Sequence, residues 1–152
     1  EKEALSVRII YNGKNKIPFG IQLNVSELLK SFNNSLDEYK YILLKGRSFP
    51  SSNSAININF LQFDGKSYGM TAQLKNSWRD IKIPVSSFKP KSSLILPFSY
   101  PRFLVKVWNP ANSEQNDKMD LNNLNFLQIV CPQTMEGKSE ENFEIESIVL
   151  EK

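Results

Sequence analysis

Apolar and polar residues alternate along most of this 152-residue chain with a period of two, the spacing of strands that bury one face. The clearest run is AININFLQF at 55–63, where Ile56, Ile58 and Phe60 fall on one face and Asn57 and Asn59 on the other. Asp64-Gly65 follows, a two-residue hairpin signal. The predicted return strand, 67–74, sets Tyr68, Met70, Ala72 and Leu74 opposite Gly69, Thr71 and Gln73. The same alternation predicts strands over 41–48, 79–85, 103–108, 124–131 and 143–150, the last broken near Ser147 as at a bulge. Residues 4–11 and 17–23 read as two earlier strands. Pro84 cannot donate to a ladder, so its strand belongs at an edge or bends there. Only 26–32 reads as helix, with Leu28, Leu29 and Phe32 on one side and Asn24 or Ser26 as the cap. Many short strands with turns between them predict an all-β fold. The expectation is an antiparallel two-sheet β-sandwich of the jelly-roll kind, with about eight strands. Ile58, Phe60, Ile81, Ile83, Val105, Ile129 and Ile148 are its expected core.

Composition narrows the chemistry. The length suits a single domain over residues 1–152, and 40% hydrophobic with 11% aromatic residues suits a folded one. No apolar run is long enough for a membrane-spanning helix, and no signal peptide opens the chain. The chain opens on Glu1 without a Met, as expected of a module cut from a larger protein. Histidine is absent, which removes the commonest general base and metal ligand together with every Ser-His or Cys-His arrangement. Cys131 is the only cysteine, so no internal disulfide or cysteine-based zinc site forms; it lies on an apolar face and reads as inert core. Carboxylates alone remain as catalysts, but Glu144 and Glu146 share one strand face without an acid–base partner, so no enzyme is expected.

Charge is uneven. Residues 40–108 carry eleven Lys and Arg against Asp64 and Asp80, whereas 109–152 carry three Lys against nine Asp and Glu. Aromatic residues do not interleave with the basic ones as single-strand nucleic-acid readers require, so no nucleic-acid partner is expected. Lys45, Arg47, Asn57, Asn59, Gln73, Lys106, Trp108 and Gln128 all fall on the polar side of their strands, and amides and guanidinium groups suit sugar hydroxyls. They form the candidate ligand-binding face, with Trp108 as its stacking platform. Tyr100 and Arg102 are a rival site on a loop end. Trp78, at the head of its strand, is expected in the core, as is Tyr68.

Several phrases carry a family resemblance: YILLKGR at 41–47, DGKSY at 64–68, W-x-x-I-x-I-P-x-S-x-F from Trp78 to Phe88, LPFSYPRFL at 96–104 and the closing IESIVL at 145–150. In that order they resemble the galactose-binding-like jelly rolls among the carbohydrate-binding modules appended to bacterial glycoside hydrolases. The resemblance covers most of 38–150. It implies a non-catalytic module that holds a covalently linked catalytic domain near a polysaccharide, outside the cell or on its surface. The basic middle of the chain favours an acidic polysaccharide or oligosaccharide as the ligand. The resemblance also implies a structural calcium near the termini, with Glu3, Glu144 and Glu146 as candidate ligands, and no other cofactor. A structural sandwich that packs on a catalytic domain without binding sugar, or an assembly factor of the same fold, is the alternative.

Overall fold

The computed structural model describes residues 19–31, 35–49, 54–97, 106–109, 117–131 and 142–152. The expected strand at 4–11, the core residue Val105 and the candidate site residues Glu3, Tyr100 and Arg102 lie outside them.

Two antiparallel sheets carry the fold. The larger has the order β1-β9-β3-β4-β6, formed by Phe19–Asn24, Leu124–Cys131, Ser54–Gln62, Ser67–Leu74 and Lys89–Pro90. The smaller has the order β10-β2-β5, formed by Asn142–Glu151, Tyr41–Phe49 and Arg79–Pro84. Among the described residues two short strands, β7 (Ser93–Leu94) and β8 (Val107–Trp108), pair with each other. The long strands thus follow the alternation in the sequence, and among the described strands β5, which ends at Pro84, is an edge of its sheet as expected. β10 is the opposite edge among them, and its register with β2 shifts between Ile145 and Ser147, at the predicted bulge.

The core lies between the inner faces of the two sheets. Ile42, Leu44, Ile83, Phe143 and Ile145 come from the smaller sheet; Ile56, Ile58, Phe60, Tyr68, Leu74, Leu127 and Ile129 come from the larger. Of the expected core residues, Ile58, Phe60, Ile83 and Ile129 are fully buried, while Ile81 and Ile148 pack partly buried against them. Cys131 also packs, partly buried, on this core. The sheets are tied at one end where Ser48 donates its N–H to Lys75 O at 2.6 Å.

The helix, α1, covers only Ser26–Lys30. Asn24 Oδ1 accepts from both the N–H (3.0 Å) and the hydroxyl (2.8 Å) of Ser26, so Asn24 serves the first turn as expected, although Val25 is the capping position. Leu29 joins the core, Leu28 is exposed, and Phe32, the third residue of the expected apolar face, lies outside the described residues.

One feature has no counterpart in the period-two pattern. After β6 the chain leaves the edge of the larger sheet and crosses its outer face. Lys91 N donates to Ser67 O at 2.9 Å. Gln128 then clasps the backbone of Leu94: its Oε1 accepts from Leu94 N at 3.2 Å and its Nε2 donates to Leu94 O at 2.7 Å and to Gln22 Oε1 at 2.7 Å. The Leu94 and Leu96 side chains reach Gly20 on β1. This crossing segment covers part of the face on which sequence alternation places a polar surface.

Candidate functional site

The outer face of the smaller sheet carries an aromatic residue held against fixed polar groups. On β2, the residues alternating with the core are Tyr41, Leu43, Lys45, Arg47 and Phe49. Register brings Glu144 of β10 opposite Arg47 and Asp80 of β5 opposite Lys45. Arg47 donates from Nε to Glu144 Oε2 at 2.6 Å, and its Nη2 lies 2.6 Å from the same oxygen. Glu144 is only 2% exposed, so its charge is stabilised chiefly by such charge-assisted hydrogen bonding. The guanidinium carbon sits 4.8 Å from the Trp78 ring centroid and 5.6 Å from that of Phe49. A plane of fixed charge therefore stacks on an indole that is itself 39% exposed.

Trp78 corrects the expectation of a core role. The strand's own alternation gives the reason: Ile81 and Ile83 point inward, so Asp80 and Lys82 point outward, and Trp78 continues the outward row. That signal was present in the sequence. The same face also carries ion pairs: Lys45 with Glu146 at 2.7 Å and Lys82 with Glu151 at 2.5 Å, the Lys82 ammonium also lying 3.9 Å from the Tyr41 ring centroid. The hydrogen bond to Glu146 pushes the Lys45 ammonium above its ordinary pKa.

The expected single ligand-binding face is divided between opposite sides of the sandwich. Lys45 and Arg47 belong to the smaller sheet; Asn57, Asn59, Gln73 and Gln128 belong to the larger. Alternation assigns a residue to one side of its strand, but sheet membership decides which side of the molecule that is. On the larger sheet Asn59 and Gln128 are buried, leaving Asn57 half-buried and Gln73 exposed. Trp108 is 47% exposed, as a platform requires, but it donates its ring N–H to Gly65 O at 2.9 Å and so sits at the β3–β4 hairpin turn. Gln73 is about 20 Å away along β4, at ~3.3 Å per residue. Lys106 is exposed beside Trp108.

Glu144 and Glu146, the expected calcium ligands, each pair with a cation of β2. Among the described residues no group of three or more His, Cys, Asp or Glu is placed to hold a metal ion. A cavity of about 210 Å³ opens at the far end of the sandwich between Leu29, Leu36, Phe63 and Asn122. The Asn122 carboxamide there already accepts from Leu36 N and donates to Asp37 Oδ1, which makes it a fixed wall. Two residues that the sequence reading left out of the candidate site, Thr71 and Lys91, join Asn57 in one hydrogen-bonded group on the larger sheet.

No protein-family model and no curated protein matches this chain. Among solved structures it is similar to the family 11 carbohydrate-binding module from Clostridium thermocellum in complex with a β-1,3-1,4-mixed-linked tetrasaccharide. The TM-score is 0.53 and the identity 14%, over 94% of this chain and 87% of that one. It is equally similar to the family 11 module of a cellulosomal cellulase of the same organism, at TM-score 0.53 and 14% identity, over 99% and 94% of the two chains. At that identity the likeness establishes the fold: this chain is a jelly-roll β-sandwich of the kind seen in carbohydrate-binding modules. No helix among the described residues is long and apolar enough to cross a membrane.

Proposed function

We propose that this chain is a non-catalytic carbohydrate-binding module that takes a polysaccharide chain on the outer face of its smaller sheet. The observation that carries the reading is Trp78, half-open with the Arg47 guanidinium carbon 4.8 Å from its ring centroid. Sugar rings present a flat C–H face to an aromatic ring and hydroxyls at the rim. Arg47 keeps N–H groups at that rim, and Glu144 fixes their direction so that little ordering remains to be done on binding. The neighbouring charges are matched in pairs, which suits a neutral glycan on this face. The structural neighbours are carbohydrate-binding modules, one in complex with a tetrasaccharide and the other from a cellulosomal cellulase. That context supports an extracellular setting and linkage to a glycoside hydrolase, which the module would hold at its substrate and so raise the local concentration.

Calorimetric titration with mixed-linked β-glucan and other neutral oligosaccharides tests the reading. Trp78→Ala is expected to weaken binding about tenfold, ~1.4 kcal/mol, at every salt concentration, because stacking does not depend on ionic screening. Arg47→Ala is expected to weaken it by a similar factor. Binding unaffected by either substitution would move the site elsewhere. No binding to any glycan would replace the reading with a sandwich that packs on a catalytic domain.

A further inference from the structure

On the opposite side of the molecule, two side chains of the larger sheet and one of the segment that crosses it form a group whose hydrogen-bonding capacity is lopsided. Lys91 Nζ donates to Asn57 Oδ1 at 2.9 Å and lies 3.2 Å from Thr71 Oγ1. Thr71 Oγ1 donates in turn to Asn57 Oδ1 at 2.7 Å. Because an ammonium can only donate, these bonds fix which end of the Asn57 amide is oxygen. The inventory then closes. Asn57 Oδ1 accepts twice, and the Thr71 hydroxyl both donates and accepts. One Lys91 N–H and both Asn57 Nδ2 hydrogens remain without a partner among the described residues. The group is left with donors to offer and one positive charge.

Among the described residues no carboxylate pairs with Lys91, whereas Lys45, Arg47, Lys66 and Lys82 each have one. Lys91 is also half-buried, and burial holds its ammonium below the ordinary lysine pKa. A partly desolvated cation with neutral partners gains most from an added anion. Its position is built by the strand beneath: a Cβ on Gly69 would lie 2.9 Å from Lys91 Cδ, so the missing side chain lets the lysine stem rest on the sheet. The crossing segment that carries Lys91 is anchored by Lys91 N on Ser67 O. Gln73, exposed on the same side of β4, extends the polar floor.

We propose that Lys91 and the Asn57 carboxamide, steadied by Thr71, form a subsite for an oxyanion substituent of an acidic polysaccharide, a carboxylate or a sulfate. The substituent's oxygens accept from Lys91 Nζ and Asn57 Nδ2 while its sugar ring lies toward Thr71 and Gln73. The assignment of the anion to a glycan rests on the carbohydrate-binding reading above. The location is independent of it, since the Trp78 surface belongs to the other sheet. A single partly buried cation is too little for a nucleic-acid backbone, whose binding sums many such contacts.

The experiment is calorimetric titration of the whole chain with oligogalacturonate, a sulfated galactan oligosaccharide and a neutral β-glucan oligosaccharide, at low and high salt. Lys91→Gln is expected to weaken binding of the acidic ligands about tenfold or more, as for one hydrogen bond to a charged group, and to abolish the salt dependence of that binding. Lys91→Arg should restore much of both. Neutral binding should be unchanged by Lys91→Gln and reduced by Trp78→Ala, so the two readings fail separately. Preference for one acidic ligand over the other identifies the substituent. Acidic glycans that bind wild type and Lys91→Gln equally would overturn the proposal. So would an Asn57 side-chain amide resonance that shifts with inorganic sulfate but with neither acidic glycan.

Discussion

Phe60→Ala is expected to lower the unfolding free energy by about 3–5 kcal/mol, the range for deleting a large buried ring. Phe60 lies on the inner face of β3 and is 5% exposed. Its ring centroid is 5.2 Å from that of Phe88 at an interplanar angle of 66°, an edge-to-face contact. Phe88 is 1% exposed and follows the 3-10 turn Val85–Ser87, so this pair fixes the passage from the smaller sheet to β6. Removing the Phe60 ring leaves a cavity bounded by rigid strands, which cannot collapse to fill it. Urea unfolding monitored by circular dichroism measures the loss. The double substitution with Phe88→Ala should show a coupling of about 0.5–1.5 kcal/mol. A loss below about 1 kcal/mol would mean that the inner face of β3 is wrongly assigned.

Gln128→Leu is the second large effect. The replacement is apolar and of similar size, so the void it leaves is small. It strands the N–H and C=O of Leu94, whose bonds to Gln128 are buried, each at a cost of about 1–3 kcal/mol. It also removes the Nε2 hydrogen bond that Gln128 donates to Gln22 Oε1. The expected result is a large fall in stability together with faster amide exchange at Leu94, because the crossing segment loses its clasp. A stability change near zero would show that water replaces the carboxamide and that the clasp contributes little. Either outcome bears on the outer surface of the larger sheet, because the segment that covers it is held by this residue.

Much of the fold was legible in the sequence because strand alternation is a local property. The inner faces of β3, β4 and β9, the hairpin at Gly65 with φ of 82°, the edge position of β5 and the bulge in β10 all follow from side-chain spacing, Gly and Pro. The candidate site was less legible because it depends on which strands join which sheet. Lys45 and Asn57 have the same local signature, yet register places them on opposite surfaces. Gln128 reads as a sugar-binding amide and is instead a buried clasp, since nothing in the LNFLQIVC strand announces that residues 91–96 will cross above it. Trp78 was mistaken for a different reason. Its place at the head of the strand and the common core role of tryptophan suggested burial, while the alternation already pointed it outward.

Among the described residues β5 and β10 are the edges of the smaller sheet, and their sequences bear on how the protein behaves when concentrated. An unpaired strand edge is a template for further strands, and natural sheets blunt such edges with charge, proline and bulges. β5 carries Arg79, Asp80 and Lys82 and ends at Pro84, which has no N–H to offer. β10 carries Glu144, Glu146 and Glu151, and its bulge after Ile145 breaks the regular spacing that a second copy would need to match. Both edges therefore resist growth of the sheet from one molecule into the next. Concentrated copies would stay separate folded units and would not fuse edge to edge into fibrils.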